Sequence, residues 1–394
     1  MTAPPADSPL ARLTPAQLDA LGRELDALHD EVFAELGERD ARYIRNAIKL
    51  HRRLVLGSRL LLLGSRKRPL RLAGVAALSL AKILENMEIG HNVMHGQWDW
   101  MNDPDINSRS WDWDTASPAD AWRHSHNYEH HTFTNIRGKD RDLGYEIMRI
   151  DPQQKWHPVY VLQPLYNLLL MGFFEWGVAL HDLNREAIRS GEKSKAQALD
   201  ELKAIGVKAR RQIVKDYVAF PALSAAAAGA LAARRGRRDR AAAASEAAQS
   251  AFVATAKADF TANIVRNVWA YSIIFCGHFP DQTYTFAEDE VAGETRGGWY
   301  VRQLLGAANI DGRAPFHFLS GNLSFQVEHH LFPDMPSSRY AEVAPRVREI
   351  CARYGLPYNT GPLRKQLGTV HRTILRLAFP GGRVRPKPGP HRID

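Results

Sequence analysis

Residues 123–135 read RHSHNYEHHTFTN, which places four histidines inside thirteen positions of a chain that has sixteen in 394 residues. Protonated imidazoles repel one another, whereas neutral ones are the commonest metal ligands in proteins. A run this dense therefore points to a shared ion, provided that other segments join it. Two segments qualify. Residues 88–96, EIGHNVMHG, carry His91 and His95; residues 324–333, SFQVEHHLFP, carry His329 and His330 with Gln326 one turn earlier. Pairs four residues apart, His91 with His95 and His126 with His130, share one face of a helix, and His131 adds a third imidazole beside the second pair. Eight of the sixteen histidines fall in the fifteen positions 91–95, 124–131 and 329–330. One such pair arises by chance, but three segments converging do not. Seven or more neutral imidazoles exceed what one tetrahedral zinc ion uses. They suit two first-row ions of intermediate softness, iron where oxygen chemistry is required.

The rest of the chain says what must carry these segments. The two cysteines, Cys276 and Cys351, form no CxxC pair, so any metal is held by nitrogen and oxygen. A net charge of +9 favours anionic partners. The start is polar and lacks the apolar core of a secretory signal; Thr14, Pro15 and Gln17 mark a helix start with a capping box. Mean hydropathy is slightly polar, −0.35, but apolar residues are strongly segregated. They fill 54–64, 69–84, 157–180, 216–233 and 248–276, the last interrupted by Lys257, Asp259 and Arg266. None is the uncharged run of about 20 residues expected of a lone anchor. Helices bundled against one another can be less apolar, and their polar groups are usually functional. Residues 182–215 read as a charged, solvated helical connector, with further helices predicted near 337–354 and 361–378. No repeat, heptad array or strand alternation appears, so the fold class is all-α.

The set His91-x3-His95, His126-x3-His130-His131 and Gln326-x2-His329-His330 resembles the three histidine boxes of the membrane fatty acid desaturase superfamily. It is most similar to the acyl-CoA and front-end branch, whose third box begins with glutamine. The flanks GHNVMHGQWDWMNDP, HNYEHHTFTN and EHHLFP resemble actinobacterial members, and the similarity runs from about residue 40 to 355. The common second box has two residues between its first histidine and the pair, whereas here three follow His126. His126 is the expected ligand, with His124 supporting it. The resemblance also implies a ligand from a late transmembrane helix, for which His278 in IIFCGHFPD is the counterpart. Gln326, His317, Asn322, Glu129 and Glu328 are candidates for hydrogen-bonding support around the ligands, as are Glu85 and Glu88.

What the resemblance implies is an integral membrane bundle of about four transmembrane helices plus an interfacial segment, capped by cytoplasmic helices that carry the boxes. Residues 1–40 would form a polar leader and helix, 41–355 the membrane desaturase domain, and 356–394 a cytoplasmic helix and basic tail. The implied activity is oxygen-dependent desaturation of a long-chain acyl thioester or lipid at two iron ions. No side-chain acid or base removes hydrogen from an unactivated methylene pair, so a cofactor must do so. No His-Pro-Gly-Gly haem signature or Rossmann glycine fingerprint is present, so electrons would come from a separate ferredoxin- or flavin-type reductase. Arg137, Lys139 and Arg141 are candidate contacts for coenzyme A phosphates. Residues 96–121, with six aspartates and four tryptophans, read as a lid whose indoles could line an acyl tunnel.

Placing all three boxes on one face requires that one of the three apolar runs between boxes two and three does not span. Residues 157–180, with Glu175 and internal prolines, are the expected interfacial run. The basic turns at 65–71 and 234–240 then lie on the face opposite the boxes, against the positive-inside tendency. The rival readings are a hydroxylase on the same scaffold and a non-catalytic metal- or lipid-binding membrane protein. A nucleic-acid binder is disfavoured, because the arginines sit in short loops without stacking aromatics.

Overall fold

The computed structural model describes residues 13–65, 67–235 and 239–383, and these fold mostly as helices, with two three-residue strands. The leader up to residue 12, parts of both basic turns and the tail beyond 383 lie outside the described residues. Helix α1 (Pro15–Ala34) opens with the capping box read from the sequence: the Thr14 hydroxyl accepts from the Gln17 amide, and the Gln17 side chain accepts from the Thr14 amide at 2.9 Å. Helices α2 (Glu38–Leu63) and α3 (Arg68–Leu84) form a packed hairpin.

The 157–180 run does not form one helix. A 3-10 turn, Pro158–Leu162, leads into α4 (Gln163–Gly172) and α5 (Phe174–His181), with a break at Phe173 (φ −119°, ψ 35°). Ten residues of α4 reach only ~15 Å, half the ~30 Å of a bilayer core. These helices pack Leu170 and Phe174 inward and leave Leu165, Leu168, Leu169, Phe173 and Leu180 exposed. The charged helical connector expected at 182–215 is helical, and from Lys195 it runs on into the next apolar run. A capping box at Ser194 and Gln197 starts α6 (Lys195–Val214), which passes through a π-helical turn, Lys215–Ala219, into α7 (Phe220–Arg235). No proline or capping residue interrupts it before the apolar half, so the charged and apolar stretches share one continuous helix.

Helix α8 (Arg240–His278) is 39 residues long, ~58 Å at ~1.5 Å per residue. It packs along α7 at small side chains: a Cβ on Gly229 would stand 3.3 Å from the Ala244 carbonyl and 3.4 Å from the Ala248 Cβ. Helix α8 also packs on α3, and α7 on α2, which closes a four-helix bundle. Its charges are paired inside. Arg59 makes two hydrogen bonds to Asp259, at 2.8 and 2.7 Å, and Lys82 bonds Asp216 at 2.7 Å. Among the described residues one helix, Lys195–Arg234, is long and apolar enough to cross a membrane by length and composition alone. The other three bundle helices fail that test partly because of charges that meet partners within the bundle.

Over one end of the bundle lies a cap. Helix α1, α9 (Arg296–Gly306), α10 (Gln326–Leu331) and α11 (Tyr340–Arg353) share a core that includes Leu25, Leu28, Leu304, Val327 and Val347. Two short parallel strands, β1 (Asn309–Asp311) and β2 (Thr360–Pro362), precede α12 (Leu363–Leu377), which packs on α8 and α4. Helices α11 and α12 fall where the sequence placed them. Helix α1 crosses α9 at glycines. A Cβ on Gly297 would lie 1.9 Å from the Leu18 carbonyl oxygen, so the two backbones must separate to admit a methyl group. Gly297→Ala should destabilise the cap by ~3 kcal/mol, at the upper end of overpacking costs. Thermal unfolding in detergent would read this as a midpoint several degrees lower.

Candidate metal centre

The first two histidine boxes do not sit on regular α-helix. Beyond α3 the backbone widens into a π-helical segment, Glu85–His91, and the second box occupies another, Arg123–His130. Such segments inside α-helices concentrate at functional sites, because the extra residue re-aims the side chains that follow. The first wide turn also needs a residue without a side chain. A Cβ on Gly90 would meet the Glu85 carbonyl at 2.8 Å and Trp113 at 3.1 Å. The third box forms the short helix α10, entered through Gly321 (φ +70°), which lies against the Met87 carbonyl. His278 is the last residue of α8.

These elements bring the sequence-predicted histidines together. Ring centroids of His91 and His95 are 4.5 Å apart, His95 and His329 4.7 Å, His131 and His330 4.6 Å, and His130 and His278 4.7 Å. Ligand atoms within 4.8 Å of one another form one group of His91, His95, His126 and His329 and a second of His130, His131 and His330. His278 approaches the second group, with its ring 4.9 Å from that of His330. Burial is the main force holding His95, His131, His329 and His330 far below the usual imidazole pKa, and the neighbouring imidazoles add to it. Burial likewise holds His91 down to about 3. His130 moves the other way. Burial opposes its protonation, but the adjacent Asp140 and Asp142 carboxylates together outweigh that effect.

The outer ring nitrogens of five of these histidines have partners, whereas both ring nitrogens of His131 are without one. His130 Nδ1 lies 3.0 Å from Asp140, His126 Nδ1 3.2 Å from Asp142, and His91 Nδ1 3.1 Å from the Asn92 side chain. His330 Nδ1 is 2.9 Å from Gln303, and His329 Nδ1 3.1 Å from the Tyr340 hydroxyl. The inner nitrogens do not. The Nε2 atoms of His95, His126, His130, His131, His329 and His330 are buried without a hydrogen-bond partner. A buried polar atom without a partner is costly, and six converging in this way have the arrangement of groups that could hold a metal ion. A partner on the outer nitrogen that fixes tautomer and ring orientation is the usual companion of a metal-ligating histidine.

Several sequence candidates serve elsewhere. His124 is exposed and stacks on Tyr128, so His126, not His124, enters the cluster. Gln326, by contrast, does hydrogen-bond a cluster imidazole, reaching His278 Nε2 at 3.1 Å. His317 bonds the Ser324 hydroxyl, and Asn322 donates to Glu88. None of the four glutamates suggested as supports bonds the buried imidazoles: Glu85 accepts from the Asp114 amide, Glu88 from Ser337, Glu129 from Arg141, and Glu328 from Tyr358 and Asn309. On a π-helical turn, or on the outward side of α10, they point away from the ion space. The candidate phosphate contacts each face a carboxylate, Arg137 at Asp151, Lys139 at Glu288 and Arg141 at Glu129 and Glu146. A phosphate would have to displace those partners. The supports that the sequence did not single out are Asp140, Asp142, Asn92, Gln303 and Tyr340. A signal for the first two was present in KDRD (139–142), just past the second box, where the cations had drawn the attention.

A narrow cavity leaves the centre between α5 and α8. Met87, Trp113, Phe174, Val178 and Ile274 line it, with His91, His126 and His278 at the metal end. Two indoles near the lid, Trp113 and Trp122, form part of its wall.

The family model for fatty acid desaturase matches residues 69–362. The chain is 45% identical over 379 residues to the NADPH-dependent stearoyl-CoA 9-desaturase of Mycobacterium tuberculosis, covering 95% of this chain and 83% of that protein. It is 25% identical over 306 residues to the sn-1 linoleoyl-lipid 6-desaturase of Synechocystis, covering 75% and 77%. Human fatty acid desaturase 3 is 32% identical over 111 residues, 28% of this chain. With buried imidazoles in the family's three-box order and a family match across most of its length, this chain belongs to the fatty acid desaturase family and is an oxidoreductase of lipid metabolism.

Proposed function

We propose that the chain introduces a cis double bond into a long-chain acyl thioester, using molecular oxygen and a diiron centre held by histidine. The observation that carries this reading is the set of six buried, unpartnered Nε2 atoms divided between two groups of imidazoles. His91, His95, His126 and His329 would hold one ion, and His130, His131, His330 and His278 the other. A bound diiron pair supplies oxygen activation and hydrogen-atom abstraction, with two electrons from an external ferredoxin- or flavin-type donor. The protein's own part is placement. Asp140, Asp142, Gln303, Asn92 and Tyr340 fix the outer nitrogens, and the apolar walls of the cavity can hold a methylene chain straight and dry beside the ligands. A stearoyl thioester fits the named activity of the mycobacterial relative.

In the membrane, α2, α3, α6 with α7, and α8 would span. The exposed leucines of α4 and α5 suit an interfacial position, and the cap with its boxes would face the cytoplasm. Fatty acid profiling of a desaturase-deficient host tests the reading. A new unsaturated acid is expected with the intact chain and none with a His130→Ala, His131→Ala double variant. A hydroxy acid instead would reassign the reaction on the same scaffold, and no product from iron-loaded protein with a competent reductase would refute catalysis.

Asp140 gives a graded test. Its carboxylate accepts from the His130 ring and from the Asn135 and Asp142 amides, the last two at 2.7 and 3.0 Å. Asp140→Asn keeps the shape but removes the charge that orients His130. Iron affinity should fall 10–100-fold, the usual cost of losing such a support, as measured by chelator competition.

A further inference from the structure

One buried imidazole beside the centre belongs to no box. His181 ends α5, with its ring 5.2 Å from that of Tyr145. Its Nε2 lies 2.9 Å from one oxygen of Asp142, whose other oxygen lies 3.2 Å from His126 Nδ1. An ionised carboxylate only accepts hydrogen bonds, so it presents both imidazoles with the same demand. His181 must donate from Nε2 and His126 from Nδ1. That places the lone pair of His126 on Nε2, the buried atom facing the ion space.

The next residue grips the same box from its other side. Asp182 accepts from Ser125, the neighbour of His126, at 2.7 Å and from Ser117 at 2.6 Å. Arg141 closes the arrangement, donating to the His181 carbonyl at 2.7 Å while pairing with Glu129 of the second box. Helix α5 is itself anchored. Glu175, near its start, is ion-paired with Arg266 of α8 and accepts from Gln212 of α6 at 2.7 Å.

We propose that His181 is a positioning residue of the metal centre, fixing the tautomer and ring orientation of His126 through the carboxylate of Asp142. This rests on His126 being a metal ligand. Without His181, one Asp142 oxygen loses its donor and the carboxylate can turn, so His126 is no longer held to a single orientation. The outward-facing side of α5 is the bare apolar surface at Phe173 and Leu180, so the helix that lies against lipid also sets the geometry of one ion.

The test uses the full chain in detergent, stripped of metal and titrated anaerobically with Fe(II), and in parallel with Co(II), whose ligand-field bands report the donor set. The intact chain should bind two ions. His181→Ala should bind one of them 10–100-fold more weakly, alter the Co(II) bands, and lower kcat. His181→Gln, whose amide can still donate to Asp142, should restore most of the binding. A His181→Ala chain with intact affinity and intact bands overturns the proposal, and so does a folded His181→Gln chain as defective as the alanine variant. If His181→Ala does not fold, the isosteric Asp142→Asn decides: weakened binding of one ion supports the proposal, and unchanged binding overturns it. An intact chain that takes up no ion overturns the metal reading itself, and this proposal with it.

Discussion

His131→Ala is expected to abolish product formation, a loss of at least ~10³-fold, while leaving the apoprotein no less stable than the parent. Both ring nitrogens of His131 are buried and without partners. Its ring lies 4.8 Å from that of His95, 5.0 Å from His126, 4.9 Å from His329 and 4.6 Å from His330, so it borders both imidazole groups. Removing it takes a donor from the ion space and leaves no protein substitute. Because the metal carries chemistry that no side chain can perform, the loss is not graded. Stability should respond in the opposite sense. An unpartnered buried imidazole costs free energy in the apoprotein, and the variant loses that cost while gaining a small cavity. Strain held at a functional site is commonly relieved in this way when function is removed. Product analysis beside thermal unfolding of metal-free protein checks both halves, and a variant that stays active would remove His131 from the proposed ligand set.

Asp259→Ala is expected to be the most damaging change within the bundle. Arg59 meets Asp259 through two hydrogen bonds and lies 3.7 Å from the centroid of the Phe220 ring; Asp259 is wholly buried. The variant strands a guanidinium among apolar helices, with Asp216 3.9 Å away and already engaged by Lys82. Breaking a buried pair from one side costs about 3–5 kcal/mol, whereas replacing both partners with apolar residues is often neutral. Asp259→Ala should therefore yield little folded protein by size-exclusion chromatography, and an Arg59→Met, Asp259→Leu double variant should recover most of it. Equal failure of the double variant would show that the pair is needed for more than mutual neutralisation.

The candidate metal centre was largely legible because its histidines come in local spacings. Four-residue intervals and adjacent histidines survive in the sequence whatever the tertiary arrangement, and they named His91, His95, His126, His130, His131, His329 and His330 as one set. The supports were not legible in the same way. Gln303 and Tyr340 lie 27 and 11 residues from the histidines they hold, and His181 closed an apolar run that had been read only for its depth in the membrane. Glu88 looked better placed than Asp140, because counting along an ideal helix cannot register a π-helical turn. One inserted residue rotates every later side chain and sends a neighbouring carboxylate to Ser337 instead of to an imidazole.

The amino-acid sequence alone therefore determined composition-level and local properties: an all-helical chain, its segregated apolar runs, the capped start of α1, and three clusters of metal-ligating side chains. Tertiary structure decided which runs are continuous. It joined the charged residues 195–214 to the apolar helix after them and broke 157–180 at Phe173. It also decided which carboxylate faces which imidazole and which charges neutralise each other inside the bundle. The physical reason is range. Helix propensity, capping and ligand spacing act within a few residues, whereas a partner for Arg59 or His126 is found only when segments 200 and 16 residues away are packed against it.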